Sequence, residues 1–261
     1  MPSPSLRYAG APARRDAVLA RLHERGFCTV AELAAHLEVS EMTVRRDVRQ
    51  LAAVGELRIV HGGVSLPEHT VAAAGFDTRL QVNVAAKRRL AATAVQLIEP
   101  ADAIAVDTGT TAHALVNALP DAYDGTVVTH SIPVMQTLLA RPDARCVGLG
   151  GDLYAPNRAF IGPATVEAAA RVRVRWCFLG TSAVDERGCY GVADLERATK
   201  KALMDIADHV VLLADGEKFQ RSAPVLLAAL GRLHAVVTDV EPPAAFRAAV
   251  AEAGVQLLVA G

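Results

Sequence analysis

The chain has 261 residues, 52% of them hydrophobic, with 27 Lys and Arg against 28 Asp and Glu and a formal net charge of −1. This composition excludes a disordered chain, and the length suits a small domain beside one of about 150–200 residues. No apolar run is long enough to span a bilayer and the N-terminus lacks a signal-peptide core, so a cytoplasmic protein without a membrane partner is expected.

In chain order, residues 1–13 read as a loose tail rich in Pro, Ser and Ala. Ala17, Val18, Leu19, Leu22 and Phe27 give a first amphipathic helix and its exit. Thr29 and Glu32 have the spacing of a capping box that opens a short helix through about Leu37. Ser40 is a good N-cap for a third helix from Glu41 to about Val54, with Gly55 at its C-terminal cap. In that helix Val44, Val48 and Leu51 share one face, which leaves Arg45, Arg46 and Arg49 pointing elsewhere. Three arginines with Thr43 near the start of a short helix suit phosphate and base-edge contacts in a DNA major groove. Taken singly, each arginine reads first as a solvated charge; it is the whole arrangement that points to DNA. The stretch from Glu56 to Leu66, alternating around Gly62-Gly63, has the pattern of a small β-ribbon wing.

Charge by segment supports a local role for these arginines. Residues 1–66 carry +2 and residues 67–261 carry −3. Affinity for DNA must then come from placed arginines and from dimerisation, not from a basic field. The cysteines (Cys28, Cys146, Cys177 and Cys189) form no CxxC and adjoin no histidine pair, so reduced thiols and no metal site are expected.

Pro67 to about Phe76 reads as a linker, and from Asp77 the pattern changes. Helices are expected at Asn83–Ile98, Thr110–Leu119, Ser131–Ala140, Pro163–Arg171, Leu195–Ala207 and Pro242–Ala253. Strands are expected at Ala103–Asp107, Thr126–Thr129, Cys146–Leu149, Trp176–Leu179, Val210–Ala214, Ala235–Thr238 and Val255–Val259. Short apolar runs alternating with helices predict a mostly parallel, Rossmann-like sheet covered on both faces, with ligands beyond the carboxyl ends of its strands. The α/β fold class follows, with a small winged helix-turn-helix in front.

Four strand ends carry suitable groups. Asp107, Thr108, Gly109, Thr110 and Thr111 open a helix whose free N–H groups suit an anion, although a plain turn with capping threonines gives the same pattern. His130 and Ser131 follow the second strand. Gly150 and Gly151 follow the third, without the GxGxxG order of a dinucleotide site, so no cofactor is expected. Asp215 to Lys218 follow a fourth, where Lys218 can reach a phosphate or simply be solvated.

Residues 14–66 resemble the winged helix-turn-helix of the DeoR family of bacterial transcription regulators. The matching residues are Val39-Ser40, Thr43 to Asp47, Leu51, Gly55, Leu57 and His61-Gly62-Gly63. The resemblance implies DNA contacts from Thr43, Arg45, Arg46 and Arg49 and, from the wing, His61 and Arg58; Ile59 stands where a basic residue is usual. Residues 77–259 are similar to the same family's sensor domain, whose fold is that of ribose-5-phosphate-type isomerases. Its landmarks here include Arg79, Lys87, Gly150-Gly151, Asp185, Glu196, Lys200 and Asp215 to Lys218. This implies that Lys87, Asp215 and Lys218 respond to an effector, a phosphorylated sugar whose phosphate the Asp107–Thr111 loop holds. His130 replaces a usual Asn and Gly216 a usual Ser, changes that bear on which sugar is recognised.

The expectation is a DNA-binding regulator, most often a repressor, acting on double-stranded DNA as a homodimer or homotetramer under control of a phosphorylated sugar. A sugar-phosphate isomerase with an appended head, using Glu196, Asp185 and Lys200 as acid and base, is the alternative; a purely architectural DNA-binding protein is a third reading.

Overall fold

A computed structural model describes residues 10–25, 27–60, 63–66 and 76–261. Most of the expected tail, the wing tip at His61-Gly62 and most of the expected linker lie outside these residues.

The head starts earlier than expected. Helix α1 runs Ala11–Arg25, followed by strand β1 (Phe27–Thr29), α2 (Val30–Leu37) and α3 (Glu41–Ala53). The α2 capping box forms as its spacing predicts: Thr29 N–H donates to Glu32 at 2.7 Å and Glu32 N–H to the Thr29 hydroxyl at 3.1 Å. Ser40 caps α3 by accepting from Thr43 N–H at 3.3 Å. Val44, Val48 and Leu51 are buried with Val18, Leu22, Leu33 and Leu37 in one apolar core. A second anchor is polar. Asp47 is buried on the same side of α3 and accepts from Arg14 Nε at 2.5 Å and Nη2 at 3.1 Å, which locks α1 to α3.

The wing consists of β2 (Arg58–Val60) and β3 (Gly63–Ser65), with β1 as a third strand on the other side of β3. Gly63 is needed for this close approach, because a Cβ there would sit 2.4 Å from the Cys28 carbonyl and 2.7 Å from the Phe27 ring.

The larger domain begins with helix α4 (Phe76–Gln81), where the linker had been expected to end, and α5 (Val84–Ala94). All seven expected strands form one sheet: β4 (Ala103–Val106), β5 (Thr126–Thr129), β6 (Arg145–Gly148), β9 (Val174–Gly180), β12 (Ala207–Leu213), β14 (Ala235–Thr238) and β15 (Gln256–Val259). Its order is β15-β14-β12-β9-β4-β5-β6, and every pairing is parallel. Helices α6 (Thr110–Ala118), α7 (Ile132–Leu138), α8 (Pro163–Ala169), α9 (Arg197–Asp205) and α10 (Ala244–Glu252) complete the layers. Separate apolar clusters fill the two faces, one around Leu179, Leu203 and Leu212, the other around Leu90, Ile104 and Phe178.

Two antiparallel additions were not expected. One is the hairpin of β7 (Asp152–Tyr154) and β8 (Ala159–Ile161); the other is a three-stranded sheet of β10 (Ala183–Asp185), β11 (Gly188–Gly191) and β13 (Val225–Ala229). The main sheet grows to one side from β4 through β5 to β6 and to the other from β9 to β15. Its switch point therefore lies between β4 and β9, where a crevice outside the carboxyl ends is expected.

Candidate functional site

The first candidate surface is the outer face of α3. Arg45, Arg46 and Arg49 are exposed there and Thr43 is half-buried, its hydroxyl 2.9 Å from that of Ser40. Arg45 also pairs with Glu41 one turn earlier at 3.3 Å, a solvent-exposed pair of little energetic weight. Arg58 is placed differently. It is half-buried at the base of the wing and lines a cavity of the larger domain, while its neighbour Ile59 is exposed.

That cavity, of about 500 Å³, opens at the switch point. Its floor is the loop from Thr108 to Thr111 and the start of α6. Gly109 precedes the helix at φ +114°, a conformation that side chains disfavour, and the first-turn N–H groups have no partners within their own helix. The walls carry cations. Arg79 comes from α4, Lys87 from α5, Lys200 from α9, and Lys218 and Arg221 from the segment after β12. Glu196, Asp215 and Glu217 supply the acids.

Burial sets the electrostatics of these groups. The Lys87 ammonium donates to the carbonyls of Arg79 at 2.5 Å and Val82 at 2.6 Å. Its removal from water, reinforced by the nearby Lys218, lowers its pKa from 10.5 to about 8. Burial also lowers Arg79 and Lys218 from their ordinary values, although Asp215 stands 3.7 Å from Lys218. The Asp215 carboxylate caps the short turn Gly216–Phe219 by accepting from Glu217 N–H at 3.1 Å; its other oxygen is buried without a hydrogen-bond partner.

Asp107 does not line the cavity; it holds the floor up from behind. Fully buried, it accepts from Gly180 N–H at 2.9 Å and from Lys200, while its second oxygen lies 3.1 Å from His130 Nε2. Burial by itself would raise this carboxyl. The Lys200 charge and the His130 hydrogen bond outweigh it and hold the group at about 2. Lys200 is raised in return, Asp107 and Glu196 overcoming the effect of burial.

His130 was expected to be able to reach a ligand; it is instead wholly buried behind Asp107. Its Nδ1 faces the Phe160 carbonyl at 2.8 Å, while Nε2 stands between Asp107 and the Thr108 N–H, 3.2 Å away. Ser131 is buried beside it. Gly150 and Gly151 pack on α8, where Thr165 donates to the Gly150 carbonyl at 2.7 Å. Asp185 closes the β10–β11 hairpin, accepting from Arg187 and Gly188 N–H and from Tyr190. None of these five residues is on the cavity wall. Gly216 is off it too, since a side chain there would press on Val240 at 2.8 Å.

The cavity also holds residues that sequence reasoning passed over. Asn157, in the β7–β8 turn, accepts from Arg79 at 2.6 Å and donates to Glu196, and its carbonyl accepts from Thr108 at 3.0 Å. No pattern marked it, because a hairpin Asn reads first as a turn former. Thr181 and Ser182 join it from the end of β9, whose apolar run gave no sign of a ligand, and Arg221 lies just beyond the Asp215 to Lys218 segment that the sequence did mark.

A family model described as the DeoR C terminal sensor domain matches residues 82–240, and one described as the DeoR-like helix-turn-helix domain matches residues 14–70. The chain belongs to the DeoR family. Like other DeoR-family proteins it is a DNA-binding transcription regulator. The glycerol-3-phosphate regulon repressor of Escherichia coli (strain K12) is 30% identical over 245 residues, covering 94% of this chain and 97% of its own. The L-fucose operon activator of Haemophilus influenzae is 28% identical over 227 residues, 87% of this chain and 91% of that one. Ribose 5-phosphate isomerase A from Methanocaldococcus jannaschii is 18% identical over 52% of this chain and 54% of its own, with a TM-score of 0.39, a likeness that does not bear on activity. Among the described residues, no helix of this DeoR-family chain is long and apolar enough to cross a membrane.

Proposed function

We propose that this regulator is a cytoplasmic repressor whose DNA affinity is set by a small phosphorylated sugar, or a related phosphorylated metabolite, bound in the switch-point cavity. One observation carries the reading. A helix N-terminus forms the floor of a cavity walled by Arg79, Lys87, Lys218 and Arg221, in a chain whose net charge is −1. Helix N-termini and fixed cations favour an anion, and the hydroxyls of Thr108, Thr181 and Ser182, with Asn157 and Asp215, suit a polyol attached to it. Relatives named for glycerol-3-phosphate and L-fucose systems agree with a sugar-related effector.

The DNA side of the proposal rests on Thr43, Arg45, Arg46 and Arg49, presented together on α3. A homodimer or homotetramer would place two such helices on half-sites about one helical turn apart, or multiples of it.

Binding rather than catalysis is favoured by the state of the acid–base groups. Lys200 is tied to Asp107, Glu196 accepts from Asn157, and Asp185 is engaged in a hairpin outside the cavity. None stands ready to take a proton from a substrate carbon.

A thermal-shift screen of glycerol 3-phosphate, ribose 5-phosphate and glucose 6-phosphate against their unphosphorylated parents tests the effector class. Ligand at about 100 times its dissociation constant adds ~2.7 kcal/mol to stability. A shift confined to phosphorylated compounds and abolished in Lys218→Ala supports the proposal; equal shifts with the parent sugars would remove the phosphate from it.

A further inference from the structure

The cavity is not closed by the sensor domain alone. Leu22 and Arg25 at the end of α1, Arg58 in β2 and Ser65-Leu66 at the end of β3 all lie on its wall. These residues belong to the DNA-binding head. They face the sensor with the side opposite in role to α3, whose arginines do not line the cavity. The contact is specific at one point. Arg25 donates from Nε at 3.2 Å and from Nη2 at 3.0 Å to the carbonyl of Gln220. Gln220 directly follows the turn that carries Glu217 and Lys218, so the head grips the very segment that presents a cation to the ligand.

Charge points the same way. Four arginines line the cavity among the described residues, and the head supplies two of them, Arg25 and Arg58. With the head in place, an anion in the cavity gains positive potential and loses contact with water, and both strengthen its binding. An arginine at this seam also has donors to spare: a guanidinium carries five N–H groups, and the Gln220 carbonyl takes two from Arg25.

Resting on the anionic-effector reading above, we propose that the bound ligand is shared between the domains. The sensor cations hold its phosphate, Arg25 and Arg58 reach its outer end, and ligand binding and head docking are one equilibrium. A ligand that contacts both domains binds the docked arrangement more tightly than the undocked one and shifts the population by that ratio. Reciprocity then requires a fixed head to raise ligand affinity by the same factor. In an oligomer, docked heads have one fixed spacing, so the ligand controls DNA affinity by setting the distance between recognition helices rather than by covering them.

The test is hydrogen exchange on the full chain with and without millimolar glycerol 3-phosphate, ribose 5-phosphate and glucose 6-phosphate. The expected result is slowed exchange both in the Gly216–Gln220 segment and in the head around Arg58 and Ser65-Leu66. In Arg25→Ala, whose side chain lies at the surface of α1 and outside the head core, protection of the head should disappear. The same variant should bind the protective sugar phosphate roughly 10-fold more weakly, the scale of one charge-assisted contact, while its affinity for inorganic phosphate, too small to span the cavity, falls by clearly less. Protection confined to the sensor, or unchanged sugar-phosphate affinity in Arg25→Ala, overturns the shared-ligand proposal and leaves the effector reading standing. No protection anywhere with any of the three compounds removes the effector reading, and this proposal falls with it.

Discussion

Asp107, wholly buried behind the cavity floor, pairs with Lys200 on the cavity wall, joining the end of β4 to α9. The same carboxylate accepts from Gly180 at the end of β9, so one side chain ties together both strands of the switch point. Asp107→Asn keeps the shape but removes the charge that Lys200 is hydrogen-bonded to, leaving it buried with only Glu196 as an acidic neighbour. Breaking such a pair costs about 3–5 kcal/mol. Chemical denaturation should show that loss. The pH dependence has a definite sign: the folded carboxyl sits at about 2, below its ordinary 3.8, so its contribution is complete above about pH 4 and fades as pH falls towards 2. An Asp107→Asn protein as stable as the parent at neutral pH would show that the floor does not depend on the pair.

Lys87 gives a second pH signature, this time in binding. Its folded pKa of about 8 lies below the ordinary 10.5, so the folded chain gives up this proton before the unfolded chain does. Its contribution therefore makes the ligand-free protein more stable as pH rises from about 8 to 10.5. An anion bound beside Lys87 favours the charged form and raises that pKa. Calorimetry in buffers of different ionisation enthalpy should detect proton uptake on binding near pH 8, with affinity falling at higher pH. Lys87→Gln should abolish the uptake.

In the recognition helix, neighbouring residues should separate function from stability. Arg46 is exposed, and Arg46→Ala should leave the melting curve unchanged while specific DNA binding falls; a bidentate base contact is worth about 1–3 kcal/mol. Asp47→Ala should do the reverse at the level of the fold. It removes two charged hydrogen bonds to Arg14, each about 1.5–3 kcal/mol before relaxation. Gel shifts and thermal melts on both variants distinguish the roles, and unchanged DNA affinity in Arg46→Ala would remove this residue from the interface.

Gly216 should matter for packing and not for ligand choice. A serine there meets Val240 at 2.8 Å, with its side chain directed away from the cavity wall. Gly216→Ser should destabilise by about 1 kcal/mol, the lower end of overpacking costs, and leave the ranking of phosphorylated sugars as it was. A changed ranking would show that position 216 is read by the ligand after all.

The amino-acid sequence by itself determined the seven parallel strands, the capped helices of the head and the outward set of arginines on α3. Each depends on a local pattern: a short apolar run for a strand buried on both faces, a hydroxyl three residues before its target N–H for a cap, and i, i+4, i+7 apolar spacing for a buried helix face. Tertiary structure alone decided the rest. Three-residue strands such as β1, β7 and β10 have too little pattern of their own, and they exist because a partner strand satisfies their backbone. The direction of a polar side chain is likewise set by what surrounds it. Asp107 and His130 sit at strand ends just as Thr108 does, yet Lys200, Gly180 and the Phe160 carbonyl draw them inward to form the support, while Thr108 to Thr111 remain on the cavity wall. Arg58 follows the same rule. The wing pattern suggested DNA, but packing of the head against the sensor puts this residue on the cavity wall, and no spacing along the chain encodes a contact made between two domains.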